Sequence, residues 1–181
     1  MVKPCITLML IISMILLASC LVHCKIDQDP LAVEEWFKKL PNMTPIHTHL
    51  HFYLHDTVSG TNRTTMRIAQ STITSFGLTT GPQPNSTIVG QAQGIYGSAS
   101  LEESDGLLMT INLFFTAGDY NGSALSLLGR NAVFHSYREI PIVGGSGVFR
   151  MARGVATAKS YYFNLTSGDT IVEYYVMVVH Y

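Results

Sequence analysis

Turn signals recur at short intervals after Pro45, and the segments between them lack the apolar spacing of a helix. Ser-Gly at 59–60, Asp-Gly at 105–106 and Asn-Gly at 121–122 each separate runs rich in alternating apolar, β-branched and aromatic residues. Strands joined by such short connections pair antiparallel, because parallel neighbours need long crossovers. The pattern therefore predicts an all-β domain, either an antiparallel barrel of about eight strands or a sandwich.

The chain predicts eight strands, and two of them are apolar on both faces. The predicted strands cover residues 48–57, 64–75, 87–99, 106–117, 122–129, 138–143, 148–163 and 169–180. The strands at 106–117 and 169–180 have the second apolar face, whereas a barrel has only one interior. Since the chain offers no substantial helix to cover that face, we expect a second copy of the chain to do so, giving a homo-oligomer (a dimer or trimer).

Residues 1–24 differ in composition from the rest of the chain. Lys3 precedes an uncharged apolar run that ends in small residues, a pattern typical of a secretory signal peptide cleaved after Cys20 or Cys24. An uncleaved membrane anchor is the alternative, because the run is nearly long enough to span a bilayer. The third cysteine, Cys5, also lies here, so a mature domain without an internal disulfide must be held together by apolar burial.

The remaining chain divides into a short lead and one domain. Residues 25–47 form the lead, with a single short helix predicted over Pro30–Leu40, and residues 48–181 form the β domain. Lys3 is the only one of the 11 basic residues in the presequence, so ten basic residues face 12 acidic ones in the mature chain. This balance, without any basic stripe, argues against nucleic acid or an anionic membrane surface as a partner.

Five of the seven asparagines begin an Asn-x-Ser/Thr triplet, the acceptor sequence for N-linked glycans in secreted proteins. They are Asn42, Asn62, Asn85, Asn121 and Asn164. Pro45 directly follows the first triplet and makes Asn42 a poor acceptor. The predicted glycosylation sites are therefore the other four, and the excess of triplets favours a eukaryotic secreted glycoprotein.

The strand that ends at Asp56 places a carboxyl group on its apolar face. Leu50, Phe52 and Leu54 share that face, because successive side chains of a strand point to opposite sides. If the face is interior, burial disfavours the ionised form of an unpartnered carboxyl, which can then hold or donate a proton as a general acid. The alternative is a strand-end aspartate that hydrogen-bonds the turn at 58–60.

Arg153 has a similar pattern around it. Phe149, Met151 and Val155 share its parity in an extended strand. A buried guanidinium requires a carboxylate or a ligand oxygen nearby, and Asp56 is the candidate partner. The alternative is an exposed arginine whose aliphatic stem covers the barrel wall.

Four histidines lie opposite Asp56 on the first strand, namely His47, His49, His51 and His55. Histidines two residues apart on a strand project the same way, which is a metal-ligand spacing. Carboxylates do not cluster near them, however, and a catalytic zinc site usually has three ligands with hydrogen-bonded partners. We therefore expect a polar outer face and no metal.

The Gly-Gly-Ser-Gly stretch at 144–147 precedes no helix, so no nucleotide site and no cofactor are expected.

Five ordered stretches of the chain resemble the plant dirigent family. They are Phe-Tyr-Leu-His-Asp at 52–56, Gly-Gln-Ala-Gln-Gly-Ile-Tyr at 90–96, Leu-Gly-Arg-Asn at 128–131, Val-Gly-Gly-Ser-Gly-Val-Phe-Arg-Met-Ala-Arg-Gly at 143–154, and the C-terminal strand at 173–181. The resemblance implies an eight-stranded, calycin-like antiparallel barrel with a polar-lined cavity, secreted to the apoplast in the extracellular space and oligomeric.

The resemblance also implies roles for individual residues. Asp56 would be the cavity aspartate, Arg153 the cavity arginine and Tyr96 a substrate-contacting tyrosine. Phe52 and Phe149, which share the faces of Asp56 and Arg153, are the further predicted substrate-binding side chains.

The function implied by the resemblance is stereoselective coupling of phenoxy radicals from monolignols such as coniferyl alcohol. A separate oxidase of the laccase or peroxidase type would supply the radicals, and the protein would have no oxidising activity of its own. An alternative is a dehydratase or cyclase of the isoflavonoid or pterocarpan type that acts through a quinone methide. It is favoured by Val148, which replaces a common aspartate, and by the absence of a mature disulfide. The short stretch at 75–82 is a separate departure from the family and predicts a barrel one strand short near 76–86. A non-catalytic barrel that binds a small phenolic or lipid is the third possibility.

Overall fold

The strands of the chain close into one antiparallel barrel. The computed structural model describes residues 27–60, 76–98 and 106–181. The strands described are β1 (Ile46–Asp56), β2 (Phe76–Thr79), β3 (Ile88–Ser98), β4 (Gly106–Phe115), β5 (Ala124–Ala132), β6 (Arg138–Ser146), β7 (Arg153–Phe163) and β8 (Thr170–His180). Neighbours around the barrel follow chain order, and β1 pairs with β8 to close it. The prediction of an all-β antiparallel barrel is confirmed.

Strand β2 fills the position where the sequence predicts a gap. It is only four residues long, yet it pairs with β1 through Tyr53↔Thr79 and with β3 through Gly77↔Gln91. The shortened stretch is itself the strand, so the prediction of a barrel one strand short near 76–86 is wrong. The strand predicted at 64–75 lies outside the described residues.

The core lies inside the barrel because alternate side chains of each strand point inward. In β4, Met109, Ile111, Leu113 and Phe115 are buried, and the residues between them are exposed. Strand β8 contributes Val172, Tyr174, Val176 and Val178 in the same way. Burial of these apolar side chains supplies the main favourable free energy of folding.

A 3₁₀ turn at Gly147–Phe149, between β6 and β7, closes one end of the barrel. The Phe149 side chain is fully buried there. Its ring centroid lies 5.6 Å from that of Phe115, 5.0 Å from that of Tyr120 and 5.2 Å from that of His180. We call this the plugged end and the opposite end the cavity end.

The backbone around this turn is incompatible with an extended strand from residue 148. Gly147 and Met151 have φ angles of 68° and 59°, in the left-handed region. The chain therefore changes direction twice, and β7 begins at Arg153 rather than at residue 148. Gly145 allows the turn to pack closely, since a Cβ there would lie 2.5 Å from the carbonyl oxygen of Phe149.

The N-terminal lead contacts the plugged end. Helix α1 spans Pro30–Lys39, one residue short of the predicted end, and none of its residues is buried. The guanidinium of Arg150 lies 5.3 Å from the centre of the Trp36 ring, a cation–π contact between barrel and helix. In the described ranges, no helix combines the length and apolarity needed to cross a bilayer. The predicted signal peptide lies outside those ranges.

Candidate functional site

A cavity of about 240 Å³ occupies the cavity end of the barrel. Its wall is largely apolar and includes Leu54, Met109 and Val172. Polar side chains also line it, namely Asp56, Tyr96, Asn131, Arg138, Ser160, Thr170 and Tyr174. A concave, mostly apolar pocket with a few convergent polar groups is the usual form of a small-molecule site.

Asp56 and Tyr96 form a hydrogen-bonded pair in this cavity. Asp56 is the last residue of β1, where the inward parity of the strand reaches the cavity, and only 8 % of it is exposed. The hydroxyl of Tyr96 donates a hydrogen bond to Oδ2 of Asp56 at 2.9 Å. This bond stabilises the carboxylate, so the pair can release a proton and take it back.

Tyr174 forms the inner boundary of the cavity. Its ring stacks on Phe52 with centroids 5.6 Å apart. Burial raises the pKa of Tyr174 to about 12; the Arg138 charge opposes this shift and the Asp56 charge adds to it. The Tyr174 hydroxyl therefore stays protonated at physiological pH and can donate a hydrogen bond to a ligand.

Arg138 brings a positive charge to the same cavity. It is the first residue of β6 and is 5 % exposed. Its Nη1 donates to the carbonyl oxygen of Val133 at 3.1 Å and to the hydroxyl of Ser160 at 2.8 Å. Its Nε has no hydrogen-bond partner among the described residues. Burial lowers the pKa of Arg138 and Tyr174 offsets part of that shift, but a guanidinium remains cationic in proteins.

Asn131, at the end of β5, offers a neutral acceptor. Its Nδ2 contacts Sδ of Met109 at 3.6 Å. Its Oδ1 is buried and accepts no hydrogen bond within the ranges that the structure describes. An unpaired buried acceptor is costly, and a ligand hydroxyl would relieve that cost.

The connection after β1 is tied to the β7–β8 turn beside the cavity. The carboxylate of Asp169 accepts hydrogen bonds from the amides of Val58 at 2.8 Å and Ser59 at 2.9 Å, and from the Ser59 hydroxyl. These bonds, led by those from Ser59, lower the pKa of Asp169 to about 2. The neighbouring residues Gly168 and Thr170 line the cavity, so the contact fixes one side of its rim.

Not all of the predicted site residues meet in the cavity. Asp56 and Tyr96 line it, whereas Phe52 lies in the core behind Tyr174 and Phe149 lies at the plugged end. Arg153 is exposed on the outside of the barrel and donates to the carbonyl oxygens of Val143 and Ala152. The predicted pairing of Arg153 with Asp56 is therefore wrong, and the alternative of an exposed arginine is the one observed. The left-handed Met151 before β7 breaks the assumed parity. In addition, Arg153 pairs with Val179 at one end of β8, whereas Asp56 pairs with Thr170 at the other end.

Three cavity residues were missed although the sequence contains a signal for each. Arg138 shares parity with buried Ile140 and Ile142. Tyr174 shares parity with Val172, Val176 and Val178 in β8, which are also buried. Asn131 continues the buried face of Leu125 and Leu127 in β5.

The β1 histidines lie on the outer surface. Nε2 of His51 is 2.9 Å from the Glu173 carboxylate, which also accepts hydrogen bonds from the hydroxyls of Tyr53 and Tyr175. The bond to Glu173 is the main cause that raises the pKa of Tyr53 to about 12. In the part of the chain that the structure describes, no three His, Cys, Asp or Glu side chains are placed to hold a metal ion.

The predicted glycan acceptors lie at different ends of the barrel. Asn85 and Asn121 are exposed in the β2–β3 and β4–β5 connections at the plugged end. Asn164 follows β7 in the turn at the cavity end and is half-buried. Asn62 lies outside the described residues.

Comparison with known proteins identifies the family. A family model described as "Dirigent-like protein" matches residues 47–179. Dirigent protein 21 of Arabidopsis thaliana is 47% identical over 146 residues, covering 74% of this chain and 77% of the relative. Pterocarpan synthase 1 of Glycine max is 47% identical over 148 residues, covering 74% of this chain and 79% of the relative.

Solved structures agree with the sequence matches. The pterocarpan synthase dirigent protein GePTS1 superposes with a TM-score of 0.69 at 43% identity, covering 77% of this chain and 87% of that one. The pterocarpan synthase dirigent protein PsPTS1 gives 0.68 at 42% identity, covering 75% and 96%. By sequence and by fold, this chain belongs to the dirigent family.

Proposed function

We propose that this dirigent protein is a dehydratase that closes a ring in one phenolic alcohol through a quinone methide. The observation that carries the proposal is the hydrogen-bonded Asp56–Tyr96 pair, which shares a single small cavity with Arg138. A cavity of about 240 Å³ is smaller than the roughly 300–1,000 Å³ typical of drug-sized ligand sites. It suits one isoflavonoid-sized molecule better than two monolignols side by side. The likeness to pterocarpan synthases supports the same reaction class.

In the first step, the proposed substrate loses water. The Asp56 carboxyl donates its proton to the benzylic hydroxyl, the carbon–oxygen bond breaks and water leaves. The conjugated phenol releases its proton to solvent, which leaves a neutral quinone methide. The Tyr96 hydroxyl stabilises the Asp56 carboxylate formed in this step. Nε of Arg138 donates a hydrogen bond to the quinone oxygen, which becomes negative when the ring closes in the second step.

In the second step, a hydroxyl elsewhere on the same molecule closes the ring. Its oxygen bonds to the methide carbon while its proton passes to the Asp56 carboxylate, and the phenol oxygen regains a proton from solvent. The net change is the loss of one water, with no oxidant. Handedness follows from the cavity wall, which holds the ring so that only one face of the methide carbon is accessible to the attacking oxygen.

The test is oxidant-free turnover. Purified protein is incubated with a hydroxylated isoflavonoid alcohol, and the product is followed by chiral chromatography and mass spectrometry. We expect one enantiomer, lighter than the substrate by one water. The Asp56→Asn variant should lose this activity, and Asp119→Asn, a matched change in the exposed turn at the plugged end, should retain it. Wild-type turnover by a folded Asp56→Asn variant would refute the assigned role.

A second candidate is stereoselective coupling of monolignol radicals supplied by a separate laccase or peroxidase. It is favoured by Phe134 and Phe163, which line the cavity and remain 67 % and 49 % exposed, so a second phenolic ring has aromatic surface to stack on. Coniferyl alcohol plus a one-electron oxidant, with and without protein, tests it. An enantiomeric excess supports coupling, and a racemic product identical to the oxidant control rules it out. Tight phenol binding without turnover in either assay would instead indicate the non-catalytic barrel.

We further propose that the protein is secreted to the apoplast. The signal-like composition of residues 1–24 and the Asn-x-Ser/Thr triplets support this location. Fusion of residues 1–30 to a fluorescent protein should direct it to the cell wall space, and cytoplasmic fluorescence would contradict the proposal.

A further inference from the structure

The turn between β7 and β8 combines a glycan acceptor triplet with the rim of the cavity. The triplet is Asn164-Leu165-Thr166, and it directly follows Phe163, which lines the cavity. We infer that Asn164 carries an N-linked oligosaccharide that stands at the cavity mouth and narrows it. The modification itself is independent of the proposed reaction; its effect on entry rests on the cavity being the ligand site.

The Asn164 side chain is held in one orientation by its own turn. Its Oδ1 accepts hydrogen bonds from the backbone amides of Thr166 at 2.9 Å and Ser167 at 3.1 Å. An asparagine that caps a turn in this way engages its oxygen and leaves Nδ2, the nitrogen that receives the sugar, without a role in the turn. Leu165 is 87 % exposed, so the turn projects from the barrel and leaves room for a glycan.

The backbone of Asn164 is bonded directly to the cavity rim. Its carbonyl oxygen accepts from the amide of Gly168 at 2.8 Å, and its amide donates to the carbonyl oxygen of Asp169 at 2.9 Å. Gly168 lines the cavity, and Asp169 holds the connection after β1 through Ser59. The first sugar on Asn164 is therefore attached within one turn of the cavity entrance.

The other triplets in the described part of the chain lie away from the mouth. Asn85 and Asn121 lie in connections at the plugged end, and Asn42 precedes β1 at that same end. Among the described residues, the cavity end thus carries one triplet. Removing it can be compared with removing a triplet at the plugged end, and this comparison distinguishes an effect on ligand entry from a general effect of glycans on solubility.

The oligosaccharide is transferred to Asn164 from a lipid-linked donor of the secretory pathway. A new bond forms between Nδ2 of Asn164 and the anomeric carbon of the first N-acetylglucosamine. The bond between that carbon and the pyrophosphate oxygen of the lipid carrier breaks. The lipid pyrophosphate leaves, and one proton of the amide passes to a base of the transferase. No oxidation or reduction is involved.

Site occupancy is measured first, on the full chain secreted from plant or insect cells. Glycopeptide mass spectrometry of the peptide containing Asn164 should find a glycan in most molecules. Thr166→Ala should abolish it and keep the turn, because the turn uses only the backbone amide of Thr166. Thr166→Ser should retain it. An unmodified Asn164 in secreted, folded protein would overturn the assignment.

Ligand entry is measured next, by stopped-flow fluorescence with coniferyl alcohol and its bulkier glucoside as probes. Thr166→Ala should bind both probes several-fold faster than wild type, with the larger gain for the glucoside. Asn164→Asp, which keeps the turn acceptor but removes the amide nitrogen, should match it. Thr87→Ala, which removes the triplet at Asn85, and Thr166→Ser should bind at the wild-type rate.

Equal association rates in all these variants, with Asn164 occupied in the wild type, would refute the narrowing of the mouth. The readouts are occupancy and association rate, neither of which needs turnover. A failure of the proposed dehydratase reaction would therefore leave both results interpretable.

Discussion

Tyr96 and Asp56 lie on strands that are not neighbours, β3 and β1, yet the Tyr96 hydroxyl donates to Oδ2 of Asp56 at 2.9 Å. The strand between them, β2, pairs with β1 only from Tyr53 to His55, short of the end of β1. The two side chains therefore meet across the interior at the cavity end. This contact gives the site a carboxyl group whose charged form is stabilised within an apolar wall.

The first prediction concerns this pair. Tyr96→Phe keeps the ring and removes the hydroxyl, so the carboxylate formed after proton donation loses its donor. We expect kcat to fall by about tenfold to a hundredfold, less than the roughly 10²–10⁴-fold loss for Asp56→Asn. Steady-state kinetics on the isoflavonoid alcohol measure both. Tyr120→Phe, in the plugged end, is the matched control; if it and Tyr96→Phe both behave like wild type, the hydrogen bond has no catalytic role.

The second prediction separates the two candidate arginines. Arg138→Met removes the cavity charge and should lower turnover about a hundredfold, the usual cost of one lost donor to a developing charge. Replacing a buried charge by an apolar side chain of similar volume is often neutral or stabilising, so the melting temperature should stay level or rise. Arg153→Met, on the outer surface, should leave turnover unchanged. The reverse pattern would restore Arg153 as the functional arginine.

These residues also show what the sequence can predict. Asp56 was placed correctly because the parity of β1 is unbroken from Leu50 to the cavity. Arg153 was misplaced because a parity argument assumes an extended chain, and Met151 at φ 59° breaks it. Nothing in the sequence pattern indicates a left-handed φ at this position, since methionine rarely adopts this conformation. Arg138 shares parity with the buried Ile140, and this pattern does indicate an inward position. Arg153 also shares parity with apolar residues, however, so parity alone cannot show which of the two arginines faces the cavity.

The fold itself was more predictable than the site. Short turns and alternating strands predict an antiparallel all-β domain, either a barrel or a sandwich, and this pattern depends on many positions at once. The resemblance to the dirigent family implied the barrel. The location of β2 was missed because its four residues are too few for a periodic pattern, and only its pairing with β1 and β3 defines it. The plugged end was missed for a similar reason, because a 3₁₀ turn inserted into a barrel depends on tertiary contacts of Phe149.

The third prediction is a loss of stability in mild acid caused by His180. This side chain is 2 % exposed, its Nε2 lies 2.9 Å from the Thr48 hydroxyl, and the Phe149 ring packs against it. Burial lowers the pKa of His180 and a contact with the Val148 backbone offsets part of the shift. The unfolded chain therefore binds more protons, and stability is complete above the unfolded pKa near 6.5 and falls as the pH drops toward the lower folded value.

Urea unfolding at pH 7 and pH 5 measures this effect. His180→Gln should show a smaller loss between the two pH values than wild type, even if it is less stable at both. His49→Gln, an exposed change on β1, should keep the wild-type pH dependence. An unchanged pH dependence in His180→Gln would assign the effect to other groups.

The fourth prediction concerns the contact between Asp169 and Ser59. Because these hydrogen bonds lower the pKa of Asp169 to about 2, their contribution is present above the unfolded pKa near 3.9 and is lost only as the pH falls toward 2. Asp169→Ala should speed hydrogen exchange at the amides of Val58 and Ser59 at pH 7. Exchange in Asp119→Ala serves as the control. Equal protection of both amides in Asp169→Ala would mean that the carboxylate does not hold this connection.

The last prediction concerns self-association, which we propose from the outer surface of β3 to β5. Ile95, Leu108 and Leu128 are 51 %, 51 % and 48 % exposed there, on three adjacent strands. Ile95 and Leu128 flank Thr110 of β4 in register, and Leu108 lies two residues from Thr110 on the same face, so the three apolar side chains are near neighbours. Clustered exposed apolar side chains mark interaction sites more often than isolated ones do. Light scattering after size-exclusion chromatography should find an oligomer for the wild type and a monomer for Leu128→Glu, because the new carboxylate would be buried without a partner. Met177→Glu, on β8 at the opposite side of the barrel, should remain oligomeric. Dissociation by Met177→Glu alone would instead place the contact on β8, and a monomeric wild type would refute self-association.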